Sequence, residues 1–369
     1  MTMTFRFPVR SFLAGIALIT ALPGALMAAD GQAQTDIARV LAGIQPSENS
    51  PLQAVAKDAA FKKHQSFMDS SWKQLEDKQL SKVRGWSSDN VKQQEPTLYY
   101  LFSGPDYLYA NAFFPKAKTI IMAGLEPSGP IPDLSDLTVR TANSELNGTR
   151  AALGSLLKHS YFITSEMGHQ LSRRKLSGTL PIIYVFAARS GKDIKDVSLI
   201  VLDREGKLHA ADEPGIDSAA KGAKIVLAGA DGEEQTIYYF KTDLSNKGVQ
   251  ASGFIKFLNG YGQGDAFIKS ASYLLHNPGF SDVRDFLLKH SAALVQDDTG
   301  IPVKYLDANW QLQPFGTYLA PIAQFRHAQQ PKLVDLFKKE SKGPLGFTVG
   351  YRWGKPSNLL LAVKAPPRS

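Results

Sequence analysis

The chain has 369 residues, of which 43% are hydrophobic and 21% are charged, and it contains no cysteine. The absence of cysteine excludes disulfides, thiolate metal sites, a lipoprotein anchor and a cysteine nucleophile. The 42 Lys and Arg residues and the 34 Asp and Glu residues are scattered, with no basic stripe interleaved with aromatic residues, so no nucleic-acid partner is expected.

The first 29 residues have the layout of a secretory signal peptide. Arg6 and Arg10 form a basic start, an apolar run covers residues 12–26, and small residues follow. Pro23 and Gly24 interrupt the apolar run, which makes a retained membrane anchor the weaker alternative. No later stretch is long and apolar enough to span a bilayer. We therefore predict a periplasmic or secreted mature protein without a transmembrane span, and the leader does not distinguish these two destinations.

Residues 30–95 are predicted to form a helical N-terminal region. Apolar residues recur at helical spacing in "TDIARVLAGI" and again from Ser50 to Trp86. Asn49, Ser50 and Pro51 together form a start signal for the second segment. The positions expected to face the core are Leu52, Val55, Phe61, Phe67, Met68, Trp72 and Leu75.

From residue 96 onward the pattern indicates an α/β domain. The segment "TLYYLF" predicts a strand, "YLYANAFF" a helix and "AKTIIMAGLE" a second strand, and residues 136–177 are predicted to be helical. The segment "TLPIIYVFAAR" is interpreted as a third buried strand. This alternation predicts a Rossmann-like mixed sheet with flanking helices.

Antiparallel β-hairpins are predicted as an insertion around residues 195–243, because two pairs of strand-like runs flank charged Gly turns. The rest of the α/β domain, which extends to residue 369, is predicted from further segments. They are a helix at 251–262, a strand at 265–275, a helix at 279–292, a strand at 293–298, a hairpin-like pair at 303–318, a helix at 329–341 and two strands within 346–364.

Polar residues follow most of the predicted strands, and ligands of open α/β sheets bind beyond the carboxyl ends of the strands. The candidate ligand-binding residues at these ends are Ser103, Gly104, Asp106, Glu126, Asp243, His276, Asp297 and Asp298, and Arg189 follows the segment interpreted as the third strand. We expect them to form one polar rim around a crevice. In the alternative interpretation, each of them only ends its strand at the surface.

Three functions are compatible with this pattern. The first is recognition of a small molecule or a cell-envelope component at the carboxyl edge of the sheet. The second is a periplasmic hydrolase that uses the Asp, Glu and His residues of the rim, with or without a divalent metal. The third is a protein-interaction module without a small-molecule site. The sequence assigns no catalytic residue, metal, cofactor or oligomeric state.

The stretch from Leu101 to Gly129 resembles the first βαβ unit of class I methyltransferases, which have Rossmann-like domains. Ser103, Gly104, Pro105 and Asp106 occupy the place of the small-residue loop, and Glu126 occupies the place of the acidic residue that takes ribose hydroxyls. The loop has no Gly-x-Gly, and Pro105 lacks a backbone donor. The resemblance therefore implies the fold, as a scaffold retained without the cofactor.

The whole chain also resembles an uncharacterised family of exported bacterial proteins. The segments that carry this resemblance are "FSGPDYLYANAFFP", "GLEPSG", "IKSASYLLH", "QDDTGIP" and "GYRWGKPSNLLLA". No activity is assigned to that family, so the resemblance implies no function. It implies only that these segments belong together in one protein.

Overall fold

A ten-stranded mixed sheet with helices packed on it forms the centre of the molecule. It is seen in a computed structural model that describes residues 30–159, 176–216, 218–351 and 355–365, and only the backbone of residues 155–159. The predicted signal peptide lies outside the described residues. The α/β fold with a Rossmann-like mixed sheet is as the sequence predicts.

The elements follow the chain in this order. The helices are α1 (Gly31–Leu41), α2 (Gln53–Ala56), α3 (Ala59–Leu75), α4 (Ser81–Asn90), α5 (Tyr107–Phe113), α6 (Val139–His159), α7 (Leu180–Arg189), α8 (Asn246–Ser252), α9 (Phe254–Asn259), α10 (Ser281–His290) and α11 (Pro331–Glu340). The strands are β1 (Thr97–Tyr100), β2 (Thr119–Gly124), β3 (Asp193–Leu202), β4 (Leu208–Ala210), β5 (Ala220–Ala228), β6 (Glu234–Lys241), β7 (Gly264–Ile268), β8 (Ser291–Gln296), β9 (Trp310–Gly316) and β10 (Asn358–Lys364). A π-helical turn (Glu76–Leu80) joins α3 to α4, and short 3₁₀ helices cover Leu274–His276, Pro278–Phe280, Val303–Tyr305 and Ala323–Ala328.

Five parallel strands lie side by side in the order β6-β2-β1-β7-β8. Counted along the chain, this is third, second, first, fourth and fifth, which is the doubly wound order of Rossmann folds. Strands β5, β3 and β4 extend the sheet antiparallel beyond β6, and β10 and β9 extend it beyond β8. The carboxyl ends of the five parallel strands therefore share one edge, and the strand order reverses at β1.

Helices cover both faces of the sheet, and each face has its own hydrophobic core. Alternate residues of β1 point to opposite faces, because side chains alternate along a strand. Leu98 packs in the core beneath the N-terminal helices, whereas Tyr99 packs in the core beneath α8 to α11. The helical N-terminal region is thus one layer of the fold. Leu52, Val55, Phe61, Met68 and Leu75 are buried as predicted, Trp72 is partly buried, and Phe67 is exposed, contrary to the prediction.

The segment at 179–189 was predicted to be a buried strand, and that prediction is wrong. It forms helix α7, which has Pro181 in its first turn and is buried from Leu180 to Ala187. A short run that is apolar on every side has no period that separates a buried helix from a strand. Arg189 consequently ends a helix, where it pairs with Asp69 at 2.8 Å, and does not follow a strand.

Three smaller predictions also need correction. Residues 303–318 form a 3₁₀ turn and β9, which pairs with β10, so the predicted hairpin is absent from this part of the described chain. Strand β7 ends at Ile268, and the described part of 346–364 contains a single strand, β10. The two hairpins of the 195–243 region are confirmed as β3–β4 and β5–β6. Among the described residues, no helix has the length and apolar character needed to cross a membrane.

A candidate ligand-binding crevice at the carboxyl edge of the sheet

A cavity of about 410 Å³ lies beyond the carboxyl ends of β6, β2, β1 and β7. Its volume is within the range of about 300–1,000 Å³ that small-molecule sites occupy. We call it the crevice. Of the predicted rim, the structure brings together Ser103, Gly104, Asp106, Glu126 and Asp243 around it, whereas His276, Asp297 and Asp298 are not among its lining residues.

The loop between β1 and α5 forms one side of the crevice and turns the chain from strand into helix. The backbone N–H groups of Ser103 and Gly104 both donate to the carbonyl of Ala123, at 3.2 and 3.1 Å, which fixes the loop against β2. Gly104 has a φ of +52°, a conformation that costs other residues about 1–2 kcal/mol. Asp106 caps α5, because its Oδ1 accepts the N–H of Tyr109 at 3.2 Å.

Asp106 also belongs to a buried ion pair at the floor of the crevice. Its Oδ2 lies 2.6 Å from the Nζ of Lys269 and accepts the hydroxyl of Tyr100 at 2.8 Å. Asp106 is 2% exposed and Lys269 3% exposed. Burial raises the pKa of Asp106, and the Lys269 ammonium opposes that rise. Both oxygens of Asp106 are engaged by the protein itself, so the residue builds the crevice floor.

Lys269 was not predicted as a site residue. It follows β7 in the run "DAFIKSASYLL", which the sequence presents as one uninterrupted strand. The position of Lys269 in the interior of that run was the available signal. Its Nζ also lies 4.0 Å from the centre of the Tyr109 ring, which places the charge over an aromatic face.

Glu126 differs in its hydrogen bonding from Asp106 and Asp243, the other two carboxylates that line the crevice. The residue is 7% exposed and lines the crevice after β2, yet its buried Oε1 has no hydrogen-bond partner among the described residues. The hydroxyls of Thr242, on the same wall, and of Ser270, on the opposite wall, also have no hydrogen-bond partner among the described residues. A buried polar atom without a partner costs about 1–3 kcal/mol, so these three atoms mark where an additional polar partner would be favourable, and at Glu126 that partner must be a donor.

The loop after β7 forms the opposite wall in a strained conformation. Ser270, Ser272 and Tyr273 have φ values of +54°, +50° and +57°, which non-glycine residues rarely adopt. Tyr351 holds this loop, because its hydroxyl donates to the carbonyl of Ser270 at 2.8 Å and lies 2.7 Å from the hydroxyl of Ser272. Such strain clusters at functional sites, where the surrounding structure over-determines it.

Asp297 and Asp298 accept hydrogen bonds from that strained loop and lie outside the crevice lining. Asp297 Oδ2 accepts the N–H of Ser270 at 2.9 Å, and its Oδ1 accepts both the N–H and the hydroxyl of Thr299. Asp298 accepts the Tyr273 hydroxyl at 2.5 Å and the Asn358 amide at 2.9 Å. Burial, with the neighbouring Asp298, raises the pKa of Asp297 to about 7. We call these two residues and their partners the closed cluster.

The two remaining rim residues take other positions. His276 ends the 3₁₀ helix Leu274–His276 outside the crevice lining, and burial lowers its pKa to about 4. Asp243 is exposed at the rim of the crevice, where both its oxygens accept hydrogen bonds from Ser245 at 2.8 Å. In the part of the chain that the structure describes, no three Asp, Glu, His or Cys residues are grouped to hold a metal ion.

We compared the chain with protein-family models, with curated proteins and with solved structures, and none of the three comparisons gives a match. The two resemblances noted from the sequence therefore stay predictions.

Proposed function

We propose that the protein recognises a small molecule that enters the crevice and donates a hydrogen bond to Glu126. The observation that carries the proposal is the Glu126 Oε1 atom, which is buried and has no partner among the described residues. Native proteins leave few buried polar atoms unsatisfied, and each exception calls for a specific reason. A ligand that supplies the missing donor is such a reason.

The position of the crevice supports the same proposal. Ligands of doubly wound sheets bind where the strand order reverses, and here it reverses at β1, whose carboxyl end lines the cavity. The cavity is mostly apolar with a few convergent polar groups, as is usual for small-molecule sites. Together with the predicted signal peptide, this favours a ligand from outside the cytoplasm, including a soluble component of the cell envelope.

A thermal-shift screen of the purified protein tests the proposal. The panel contains divalent metals, nucleotides, S-adenosylmethionine, sugars, cell-wall fragments, amino acids and small amines. A ligand at about 100 times its dissociation constant stabilises by roughly 2.7 kcal/mol. For a chain of this size that corresponds to a shift of several degrees in Tm.

Two variants make the screen specific for the crevice. Glu126→Gln keeps the shape of the side chain and removes its charge, and it is expected to reduce the shift strongly. Asp89→Asn changes an exposed carboxylate on α4 that does not line the crevice, and it is expected to leave the shift intact. If no compound shifts the protein, the small-molecule proposal is wrong and the interaction-module alternative gains support. If a shift is undiminished in Glu126→Gln, the ligand does not bind through Glu126 and the proposed site is wrong.

A further inference from the structure

The crevice carries more negative than positive charge. Its lining contains the carboxylates of Asp106, Glu126 and Asp243 and one ammonium group, that of Lys269. Lys269 and Asp106 lie in direct contact and compensate each other. Within the described chain neither Glu126 nor Asp243 forms an ion pair, so two formal negative charges are left over.

These two carboxylates lie on the same wall. The N–H of Thr242, which precedes Asp243, donates to the carbonyl of Gly124 at 3.2 Å, so the ends of β2 and β6 remain paired at this point. The unpartnered Glu126 Oε1 and Thr242 Oγ1 both belong to this wall. An ammonium group has three N–H donors and no acceptor, which matches the acceptor-only carboxylate of Glu126 and the lone pairs of the Thr242 hydroxyl.

The mouth of the crevice is apolar. Leu125 is 68% exposed and Leu274 36% exposed, and both line the crevice from opposite sides, after β2 and β7. Phe102 and Phe280 are partly exposed beside them. Large apolar side chains in contact with water at the edge of a cavity provide the area against which an apolar part of a ligand is buried.

From these three features we infer that the ligand is a small primary amine with an apolar substituent. Its ammonium group binds at Glu126 and Thr242 near the charge of Asp243, and its apolar part covers Leu125 and Leu274. Ligands that bring a phosphate or carboxylate to this wall are disfavoured by like-charge repulsion. This inference rests on the proposed function and adds the chemical class of the ligand to it.

Four probes of matched shape separate charge from hydrogen bonding. Phenethylamine brings a charged donor, phenethyl alcohol a neutral donor, phenylacetate a negative charge, and phenethyltrimethylammonium a positive charge without N–H donors. By isothermal titration calorimetry we expect the amine to bind about tenfold or more tightly than the alcohol, as befits a hydrogen bond to a charged group. The trimethylammonium compound is expected to bind more weakly than the amine, and phenylacetate not measurably.

Three variants assign the preference to the proposed atoms. Glu126→Gln is expected to reduce the preference for the amine over the alcohol to about twofold or less, since the charge that distinguishes them is gone. Leu125→Ser is expected to weaken the binding of the amine and of the alcohol to the same extent. Asp89→Asn, the exposed carboxylate outside the crevice, is expected to change nothing, which excludes general attraction of cations to the surface.

Some results would overturn the inference and still leave the proposed function standing. Alcohol binding as tightly as the amine, with both still dependent on Glu126, would do so. An amine preference that persists in Glu126→Gln, or phenylacetate binding as tightly as the amine, would contradict the inference and the proposed contact with Glu126 together. Failure of all four probes to bind would also overturn the inference, and the broader thermal-shift screen would then decide separately whether the crevice binds another class of molecule.

Discussion

Two carboxylates at the same edge of the sheet are equally buried and have opposite hydrogen-bonding situations. Glu126, after β2, and Asp298, two residues after the end of β8, are each 7% exposed. Both oxygens of Asp298 accept hydrogen bonds, from Tyr273 and Asn358, whereas Glu126 Oε1 has no partner among the described residues. Burial alone therefore does not distinguish a structural carboxylate from a candidate for ligand binding. The number of hydrogen bonds that its oxygens accept within the protein does distinguish them.

The direction of the neighbouring strands explains the difference. β10 runs antiparallel to β8 and pairs Leu360 with Gln296, so its first residue, Asn358, extends past the end of β8 and covers it. Both neighbours of β2 are parallel to it and end at nearly the same level, with Met122 opposite Tyr100 and Gly124 opposite Lys241. None of the strands in the described ranges extends over the end of β2, which leaves Glu126 at an opening.

The largest effect on the free energy of unfolding is expected at Asp106. This residue lines the crevice, but both its oxygens form hydrogen bonds or ion pairs within the protein, as in a structural residue. Asp106→Ala removes the carboxylate that pairs with the buried Lys269 ammonium and also removes the cap of α5. Breaking a buried ion pair in this way destabilises by about 3–5 kcal/mol, measurable by urea denaturation. The double variant Asp106→Asn/Lys269→Met is expected to recover much of the loss. If Asp106→Ala lowers the free energy of unfolding by less than about 1 kcal/mol, hydrogen bonds and ion pairs within the protein do not identify structural residues here.

A direct test compares the two equally buried carboxylates. Asp298→Ala leaves the Tyr273 hydroxyl and the Asn358 amide buried without an acceptor, and a cost of about 2–4 kcal/mol is expected. Glu126→Gln removes no hydrogen bond to Oε1 and is expected to leave the free energy of unfolding unchanged within about 0.5 kcal/mol, or to raise it. Equal losses in the two variants would contradict the proposed distinction.

The closed cluster is also expected to respond to pH. Burial raises the pKa of Asp297 to about 7 in the folded protein, whereas in the unfolded chain the carboxyl has its ordinary pKa of 3.8. The contribution to stability is therefore present at low pH and lost as the pH rises from about 4 to about 7. We expect denaturation at pH 5 and pH 8 to show that the stability of Asp297→Asn, relative to that of the natural protein, is greater at pH 8 than at pH 5. An unchanged difference would indicate that Asp297 is ionised throughout.

The smallest effect is expected at the mouth of the crevice. Leu125 is 68% exposed, so Leu125→Ser removes little buried surface and should change the free energy of unfolding by no more than about 0.5 kcal/mol. Denaturation in urea measures this change. A larger loss would mean that Leu125 contributes to the core, and the mouth would not be available for a ligand.

Much of this architecture follows from local patterns in the sequence. Apolar strands ended by Ser, Gly and Asp predicted β1 and β2 and the positions of Asp106 and Glu126, because such ends depend on residues close in the chain. The helix α7 was missed, since an apolar run of that length gives no period. Asp297 and Asp298 were grouped with the rim, because the covering residue Asn358 lies 60 residues away along the chain. Lys269 was missed because its partner Asp106 becomes a neighbour only when β1 pairs with β7.

The pairing of distant strands has a consequence for how the protein folds. Leu98 pairs with Asp265 and Thr119 with Thr236, so the central strands join segments that are far apart in the chain. Such long-range pairing forms slowly, because the entropy of loop closure is lost before the contacts that offset this loss are made. During synthesis from the N-terminus, β1 and β2 are complete long before β7 exists, and Tyr351 comes later still. The crevice is therefore expected to be among the last features to form, and a chain halted before that point exposes apolar strands and lacks part of the crevice lining.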